Sequence, residues 1–183
     1  TVYFAQDRLE EAEFAFRKAT EIDPSAIESW LTYGEVLGEQ GKSEDAIKAC
    51  DNAISIDPQN SLALGNKAKY LNNLGKSYDA IELCDRILAI EPENLFALKI
   101  KGDSLLKLGK SESAVKIYNK IIYRSPKCPE FYYKKGLALS KLGRDEEAEE
   151  AFNKAVQVFP VSYTHLRAHE TVLDLVCRLL LEK

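Results

Sequence analysis

The sequence predicts an all-α fold, a solenoid of antiparallel helix pairs, because three ladders of residues share one period. Prolines recur every 34 residues, at positions 24, 58, 92, 126 and 160. Glycines recur with the same period at positions 41, 75, 109 and 143, and alanines at positions 12, 46, 80, 114 and 148. Ladders that share a period indicate one structural unit copied along the chain.

Each unit is predicted to be a pair of helices. Apolar residues recur at helical spacing from each ladder glycine to the next proline, and again from that proline to the following glycine. Proline stops the one helix because it has no N–H, and glycine can take the left-handed conformation that ends the other. We expect serine or aspartate after the glycine to cap the next helix, as at Ser43, Ser77, Ser111 and Asp145.

Small residues are predicted to let the two helices of a pair approach closely. They stand opposite the alanine ladder, at Gly34, Ala68, Gly102 and Gly136. A hairpin of this kind cannot bury its apolar face alone, so it stacks on its neighbours.

The repeat array is predicted to occupy residues 1–160. It divides into a partial repeat at 1–26 and full repeats at 27–60, 61–94, 95–128 and 129–160. The chain starts at Thr1 and contains no methionine, so we expect its natural N-terminus to lie further upstream.

The second repeat resembles the tetratricopeptide family, whose pattern is Trp-x2-Leu-Gly-x2-Tyr, then Ala-x3-Phe, Ala and Pro. The matching residues are Trp30, Tyr33, Gly34, Leu37, Ala46, Cys50, Ala53 and Pro58. The last full repeat matches at Tyr132, Gly136, Leu139, Ala148, Phe152, Ala155 and Pro160. The resemblance implies a right-handed superhelix that serves as a protein–protein interaction scaffold and catalyses no reaction.

In this family the first helices of successive repeats line a concave groove that holds a peptide or partner protein. The resemblance carries that role to Glu28, Leu31, Thr32 and Glu35 in the second repeat and to Leu62, Asn66, Lys69 and Asn73 in the third. It carries the role to Phe96, Lys99, Asp103 and Lys107 in the fourth repeat and to Glu130, Tyr133, Lys134 and Lys141 in the fifth. Convex, loop or missing-repeat contacts are the alternative.

Some members of the family bind the C-terminal carboxylate of chaperones with a Lys/Asn/Arg clamp. Here Leu31 and Glu35 stand where the first lysine and the asparagine would be, and Ile100 replaces the last basic residue. Asn66 alone matches, and a clamp that begins one repeat later would have Gly65 in the lysine place. We therefore expect no chaperone-tail binding.

The predicted groove changes from acidic in the second repeat to basic in the fourth and fifth. We therefore expect a ligand with an acidic segment facing Lys99, Lys134 and Lys141. The net charge of −4 favours neither nucleic acid nor a membrane surface as partner. No apolar run approaches the roughly 20 residues of a membrane-spanning helix.

Catalytic motifs are weak in this sequence. The Gly-Lys-Ser turns lack the upstream glycine and the strand of a phosphate-binding loop. Residues 1–160 contain no histidine, so no serine there has the general base of a hydrolase triad. We expect a cytoplasmic protein with no cofactor, metal or small-molecule substrate. The alternative is the substrate-recognition arm of a larger enzyme, such as a glycosyltransferase or methyltransferase.

Cys50 and Cys84 are equivalent positions of successive repeats, since 34 residues separate them. That spacing differs from the CxxC pairs of zinc sites and from disulfide scaffolds. We expect both to be buried, reduced thiols, because free cysteine packs as a small hydrophobe.

Residues 161–183 break the repeat and resemble the translation of a sequencing-library adapter. Residues 161–171 match one constant adapter segment and residues 174–182 match a second, with room for a short barcode at 172–173. We expect this segment to be non-native, although its amphipathic pattern could form a helical cap on the last repeat. His165, His169 and Glu170 fall within it, so their spacing is not taken to indicate a metal site.

Overall fold

The computed structural model describes residues 2–158, with side chains from residue 8 onward. Nine α-helices and no strand occur in this range. The helices are α1 (Val2–Ile22), α2 (Ile27–Glu39), α3 (Ser43–Ile56), α4 (Ser61–Asn73), α5 (Ser77–Ile90), α6 (Leu95–Lys107), α7 (Ser111–Arg124), α8 (Pro129–Ser140) and α9 (Asp145–Val158). The predicted all-α class is confirmed, while the adapter-like segment lies outside the described residues.

The described residues divide into two compact units, one that ends at Ser104 and one that begins at Leu105. In the first unit consecutive helices from α1 to α5 pack against one another, and α2 also contacts α4. In the second unit α7 packs against α8, and α8 packs against α9. Each unit therefore consists of helices stacked in chain order, as the repeat predicts.

The ladder glycines end the first helix of each pair, as predicted. Gly41, Gly75, Gly109 and Gly143 have φ values between 71° and 79°. The N–H of the next residue donates to a carbonyl in the last turn of the helix, as from Lys42 to Leu37 at 2.9 Å. This six-residue closure with a left-handed residue is the Schellman motif.

The predicted capping role of the serines after these glycines is wrong. The N-cap residues of α3, α5 and α7 are Lys42, Lys76 and Lys110, and none makes a side-chain cap hydrogen bond. Ser43, Ser77 and Ser111 are instead the first helical residues. The Ser77 hydroxyl donates to the Asn72 side chain at 3.0 Å, which joins the end of α4 to the start of α5.

The core of the first unit joins each helix pair to the first helix of the next pair. One cluster combines α2, α3 and α4 through Leu37, Ala46, Ala49, Cys50 and Tyr70. A second combines α4, α5 and α6 through Leu64, Ala68, Leu71, Ala80, Cys84, Ile87, Ala97 and Ile100. Burying apolar side chains that neighbouring repeats share is the main contribution to the stability of such a stack.

Close helix contacts occur where the small residues are predicted. A Cβ atom at Gly34 would lie 3.4 Å from the Ala46 carbonyl oxygen and 3.5 Å from the Ala49 Cβ. In the second unit a Cβ at Gly136 would lie 2.5 Å from the Phe152 ring, so only glycine leaves room for that ring.

The two repeat cysteines are buried free thiols, as predicted. Cys50 and Cys84 are both fully buried and form no disulfide. Burial raises the pKa of each thiol to about 12, so neither forms the reactive thiolate at neutral pH.

Candidate binding cleft

Residues of α2, α4 and α6 enclose a cleft of about 380 Å³ within the first unit. Its lining residues are Glu35, Ser61, Leu62, Asn66, Lys69, Asn94 and Phe96. The structure therefore brings together five of the predicted groove residues, Glu35, Leu62, Asn66, Lys69 and Phe96, from three successive repeats. The volume lies near the lower end of ligand sites, about 300 to 1,000 Å³, so it suits one or two side chains of a larger ligand.

Leu62 and Phe96 form the apolar part of the cleft. Leu62 is 48% exposed, so about half of its side chain is available to a ligand. The Phe96 ring lies against the backbone of α4, because a Cβ at Gly65 would be only 2.7 Å from its Cε1 atom. Phe96 also packs against the α4–α5–α6 core cluster, so its orientation is fixed by the core.

Asn66 and Glu35 form the polar part of the cleft. Asn66 is only 4% exposed, and its amide donates to Glu35 Oε1 at 3.4 Å. Glu35 itself is exposed. Because the hydrogen bond is long, it is weak and can be exchanged for one to a ligand.

Lys69 contributes a positive charge to the cleft. Its Nζ lies 5.5 Å from the centre of the Tyr70 ring, within the range of cation–π contacts. No carboxylate of the described residues lies within ion-pairing distance of this amine. The cleft therefore contains one carboxylate and one ammonium group that do not pair with each other.

Tyr70 supports Lys69 from the core. Its side chain is 1% exposed, and a Cβ at Gly38 would lie 2.4 Å from its Cε1 atom. Burial raises the pKa of the Tyr70 hydroxyl well above its usual value. The described residues supply no hydrogen-bond partner for that hydroxyl, so Tyr70 acts as an apolar support and not as a proton donor in the cleft.

The other predicted residues of α2 differ in exposure. Glu28 is exposed, and the half-buried Thr32 donates its hydroxyl to the Glu28 carbonyl at 2.9 Å. Leu31 is 7% exposed and packs with Ala53 and Ala63. The structure thus places Leu31 in the core between α2, α3 and α4, where it offers little surface to a ligand.

The remaining predicted residues of α4 and α6 do not line the cleft. Asn73 and Lys107 are exposed, whereas Lys99 and Asp103 are half-buried. Lys99 and Asp103 follow Phe96 at helical spacing, which places them on the same side of α6.

In the second unit, three of the predicted residues of α8 contact other side chains of α8 or α9. The Lys134 Nζ lies 2.9 Å from Glu130 Oε1, so the helix itself offsets part of its charge. The Tyr133 ring centre lies 5.6 Å from that of Phe152, and burial raises the pKa of Tyr133. Lys141 is exposed just after α8. A ligand with an acidic segment facing Lys99, Lys134 and Lys141 stays a prediction.

Two lining residues, Ser61 and Asn94, were not predicted. Ser61 begins α4, and Asn94 precedes α6. The Asn94 side chain accepts a hydrogen bond from the Ala97 N–H at 2.9 Å and donates one to Glu91 Oε2 at 2.7 Å. An asparagine directly before a predicted helix is a cap signal, and it could have placed Asn94 beside the groove.

Other kinds of site receive no support within the described range. No group of three or more histidine, cysteine, aspartate or glutamate side chains there is arranged to hold a metal ion. None of the described helices combines the length and the apolar composition needed to cross a membrane.

Two family models match the chain, one over residues 3–70 and one over residues 101–162. Both describe the tetratricopeptide repeat (TPR). Each matched segment contains residues of the glycine, proline and alanine ladders, and residues 71–100 lie between the two segments. The chain belongs to the tetratricopeptide-repeat family. The TPR family explains the all-α solenoid fold and the shared core of neighbouring repeats.

Solved TPR structures share this fold. A MamA protein superposes with a TM-score of 0.75 at 22% identity, covering 90% of each chain. A MamA from Desulfovibrio magneticus RS-1 gives a TM-score of 0.77 at 17% identity, covering 85% of this chain and 88% of that one. YrrB, described as a TPR protein with an unusual peptide-binding site, gives 0.70 at 20% identity, covering 87% and 82%.

No curated protein sequence matches the chain. At these low identities the structural matches establish the fold of this TPR protein and leave its ligand to be argued from the cleft. TPR arrays typically act as non-catalytic interaction scaffolds.

Proposed function

We propose that this TPR protein is an interaction scaffold that binds an extended peptide segment of a partner protein in the α2–α4–α6 cleft. The proposal rests on one observation: the exposed apolar side chain of Leu62 and the buried amide of Asn66 line the same cleft. Ligand sites in proteins commonly combine an apolar wall with a few placed polar groups.

The two parts of the cleft suit two parts of a peptide. Leu62 and Phe96 can contact an apolar side chain, which leaves water when it enters. The Asn66 amide has both donors and an acceptor, which match the C=O and N–H groups of an extended backbone. The peptide-binding site described for YrrB, whose fold is similar, is consistent with this use of a TPR array.

Selection of peptides from a displayed random library against the full chain would test the proposal. Selected peptides should lose affinity about five- to twentyfold in the Leu62→Ser variant, because an apolar contact near the centre of a small interface is lost. Isothermal titration calorimetry would measure the loss for each peptide.

Ile90→Ser is the matched control. Ile90 ends α5 and is 59% exposed, so it resembles Leu62 in size and exposure but does not line the cleft. Binding should be unchanged in this variant. Equal losses in the two variants, or none in either, would place the peptide elsewhere and contradict the proposal.

A further inference from the structure

The face that α2 presents beside the cleft is strongly acidic. Glu28, Glu35 and Glu39 are spaced seven and four residues apart, which places them on one side of the helix. All three are exposed. Neither Glu28 nor Glu39 forms an ion pair with any described residue. The face therefore carries three carboxylates whose charges are not offset locally.

The neighbouring face of α4 offsets little of this charge. Its predicted groove residues are Leu62, Asn66, Lys69 and Asn73, of which only Lys69 is charged. Lys69 is held over the Tyr70 ring and does not pair with Glu35. Across α2 and α4 the negative charge therefore predominates beside the apolar part of the cleft.

The acidic face and the cleft are parts of one surface. Glu35 lines the cleft and accepts the hydrogen bond from Asn66, which ties α2 to α4 at this point. A ligand side chain that lies between Leu62 and Phe96 therefore has its chain neighbours close to the carboxylates of α2. Charge complementarity selects against ligands that bring like charges there.

We infer that the cleft binds a segment in which basic residues flank an apolar residue. The inference rests on the proposed function and names the class of its ligand. The apolar residue occupies the Leu62–Phe96 part of the cleft. Lysine or arginine side chains next to it pair with Glu28, Glu35 and Glu39, while the Asn66 amide holds the backbone. The acidic segment expected to face Lys99, Lys134 and Lys141 is a competing prediction, because Lys99 lies one turn after Phe96 on the same side of α6.

Three end-blocked peptides with a central leucine would test the inference on the full chain. They carry lysine, glutamate or glutamine on both sides of the leucine. Fluorescence anisotropy at low salt should give the lysine peptide the highest affinity, about tenfold above the glutamine peptide, and the glutamate peptide the lowest. The advantage of the lysine peptide should shrink as salt is raised.

A charge-reversed variant, Glu28→Lys with Glu39→Lys, tests whether affinity depends on the carboxylates of α2 or only on the net charge of the protein. It should weaken the lysine peptide about tenfold and strengthen the glutamate peptide. The matched control is Glu44→Lys with Glu82→Lys, which changes the net charge equally on exposed positions of α3 and α5. The control should change either affinity less than twofold.

The outcomes distinguish this inference from the proposed function. If Leu62→Ser abolishes binding but all three peptides bind equally, the cleft is the site and the inference is wrong. Tighter binding of the glutamate peptide than of the lysine peptide to the unsubstituted chain, or equal effects of the two double variants, would also overturn it. If Leu62→Ser leaves all three affinities unchanged, the proposed function fails together with the inference.

Discussion

The turns that lead into α4 and α6 differ from those that lead into α2 and α8 in the side-chain hydrogen bond that stabilises them. Before α4 and α6, the side chains of Asn60 and Asn94 accept a hydrogen bond from a backbone N–H of the first turn, in both cases at 2.9 Å. Before α2 and α8, the equivalent residues are Ala26 and Cys128, and neither makes a side-chain cap.

An aromatic residue fastens the turns that lack asparagine. The Trp30 Nε1 donates to the Pro24 carbonyl at 2.9 Å, and the Tyr132 hydroxyl donates to the Pro126 carbonyl at 3.2 Å. Trp30 and Tyr132 occupy the same position of their repeats. The other two repeats have leucine there, and Leu64 and Leu98 are almost fully buried.

Two kinds of side-chain hydrogen bond therefore stabilise one turn geometry. Repeats with asparagine directly before the helix have leucine four residues later. Repeats with alanine or cysteine before the helix have an aromatic hydrogen-bond donor four residues later. The backbone before the helix is nearly the same in both kinds: Ala26 has φ −77° and ψ 98°, and Asn60 has φ −61° and ψ 104°. Different side chains therefore stabilise the same turn conformation. A repeat should tolerate replacement of both residues together, the one before the helix and the one four positions later.

Replacing Trp30 should have the largest effect. Trp30→Leu removes the hydrogen bond to Pro24 and part of the packing against the α2–α3–α4 core, which should cost about 2 to 3 kcal/mol. Adding Ala26→Asn should recover about 1 kcal/mol, because the backbone at Ala26 already suits a cap. Urea denaturation followed by circular dichroism would measure both changes. No recovery in the double variant would show that the two ways of fastening the turn are not exchangeable.

Removing an asparagine cap should have a smaller effect. Asn94→Ala should cost about 1 kcal/mol, since the Ala97 N–H loses its side-chain acceptor. The same change should raise the pKa of Glu91, whose carboxylate is stabilised first by the Asn94 side chain and then by Ser61. An NMR titration of Glu91 in both proteins would show the pKa in the variant closer to the ordinary value of 4.5.

The sign of the pH dependence follows from that lowered pKa. A carboxyl group with a lowered folded-state pKa stabilises the fold above its unfolded pKa, and the stabilisation is lost as pH falls through the folded value. The contribution of Glu91 should therefore disappear in acid, below the ordinary value of 4.5. Asn52→Ala is the control, because Asn52 is exposed on α3 and makes no contribution to the lowered pKa of Glu91, so the titration of Glu91 should be unchanged. A Glu91 pKa unaltered by Asn94→Ala would contradict the role of this pair.

The fold could be predicted from the sequence because its determinants are local and repeated. The glycine ladder specified left-handed residues, and all four ladder glycines have positive φ. The sequence could also indicate that Leu62, Asn66 and Phe96 lie near one another, because each falls on the first helix of its repeat and they line one cleft, whereas their role in binding stays a prediction.

The individual contacts were harder to predict. Leu31 has groove spacing, but α2 contacts α4 as well as α3, so the buried side of this helix is wider than one stripe. The serine caps failed because each lysine before the serine is already the cap residue, its carbonyl accepting the first helical hydrogen bond, as Lys42 does from Ala46. The Leu31 error depends on where the helix of the next repeat lies, which the spacing within one repeat does not show, whereas the serine error is a shift of the helix start by one residue.

An ion pair that joins the helices of two neighbouring repeats is present at two places and has no equivalent at a third, and supplying it should have the smallest effect. Lys67–Asp51 joins α4 to α3, and Lys101–Asp85 joins α6 to α5 one repeat later. At the same place between α8 and α7 the chain has Lys135 but Asn119, so the carboxylate is missing.

Asn119→Asp would supply that carboxylate. Because the existing pairs are partly exposed, the gain in stability should be only a few tenths of a kcal/mol at low salt and should vanish at high salt. Thermal unfolding at two salt concentrations would measure it. Asp51→Asn, which removes an existing pair, should show the opposite change with the same salt dependence. A gain from Asn119→Asp that persists at high salt would mean that helix propensity or hydrogen bonding, and not an ion pair with Lys135, stabilises the variant.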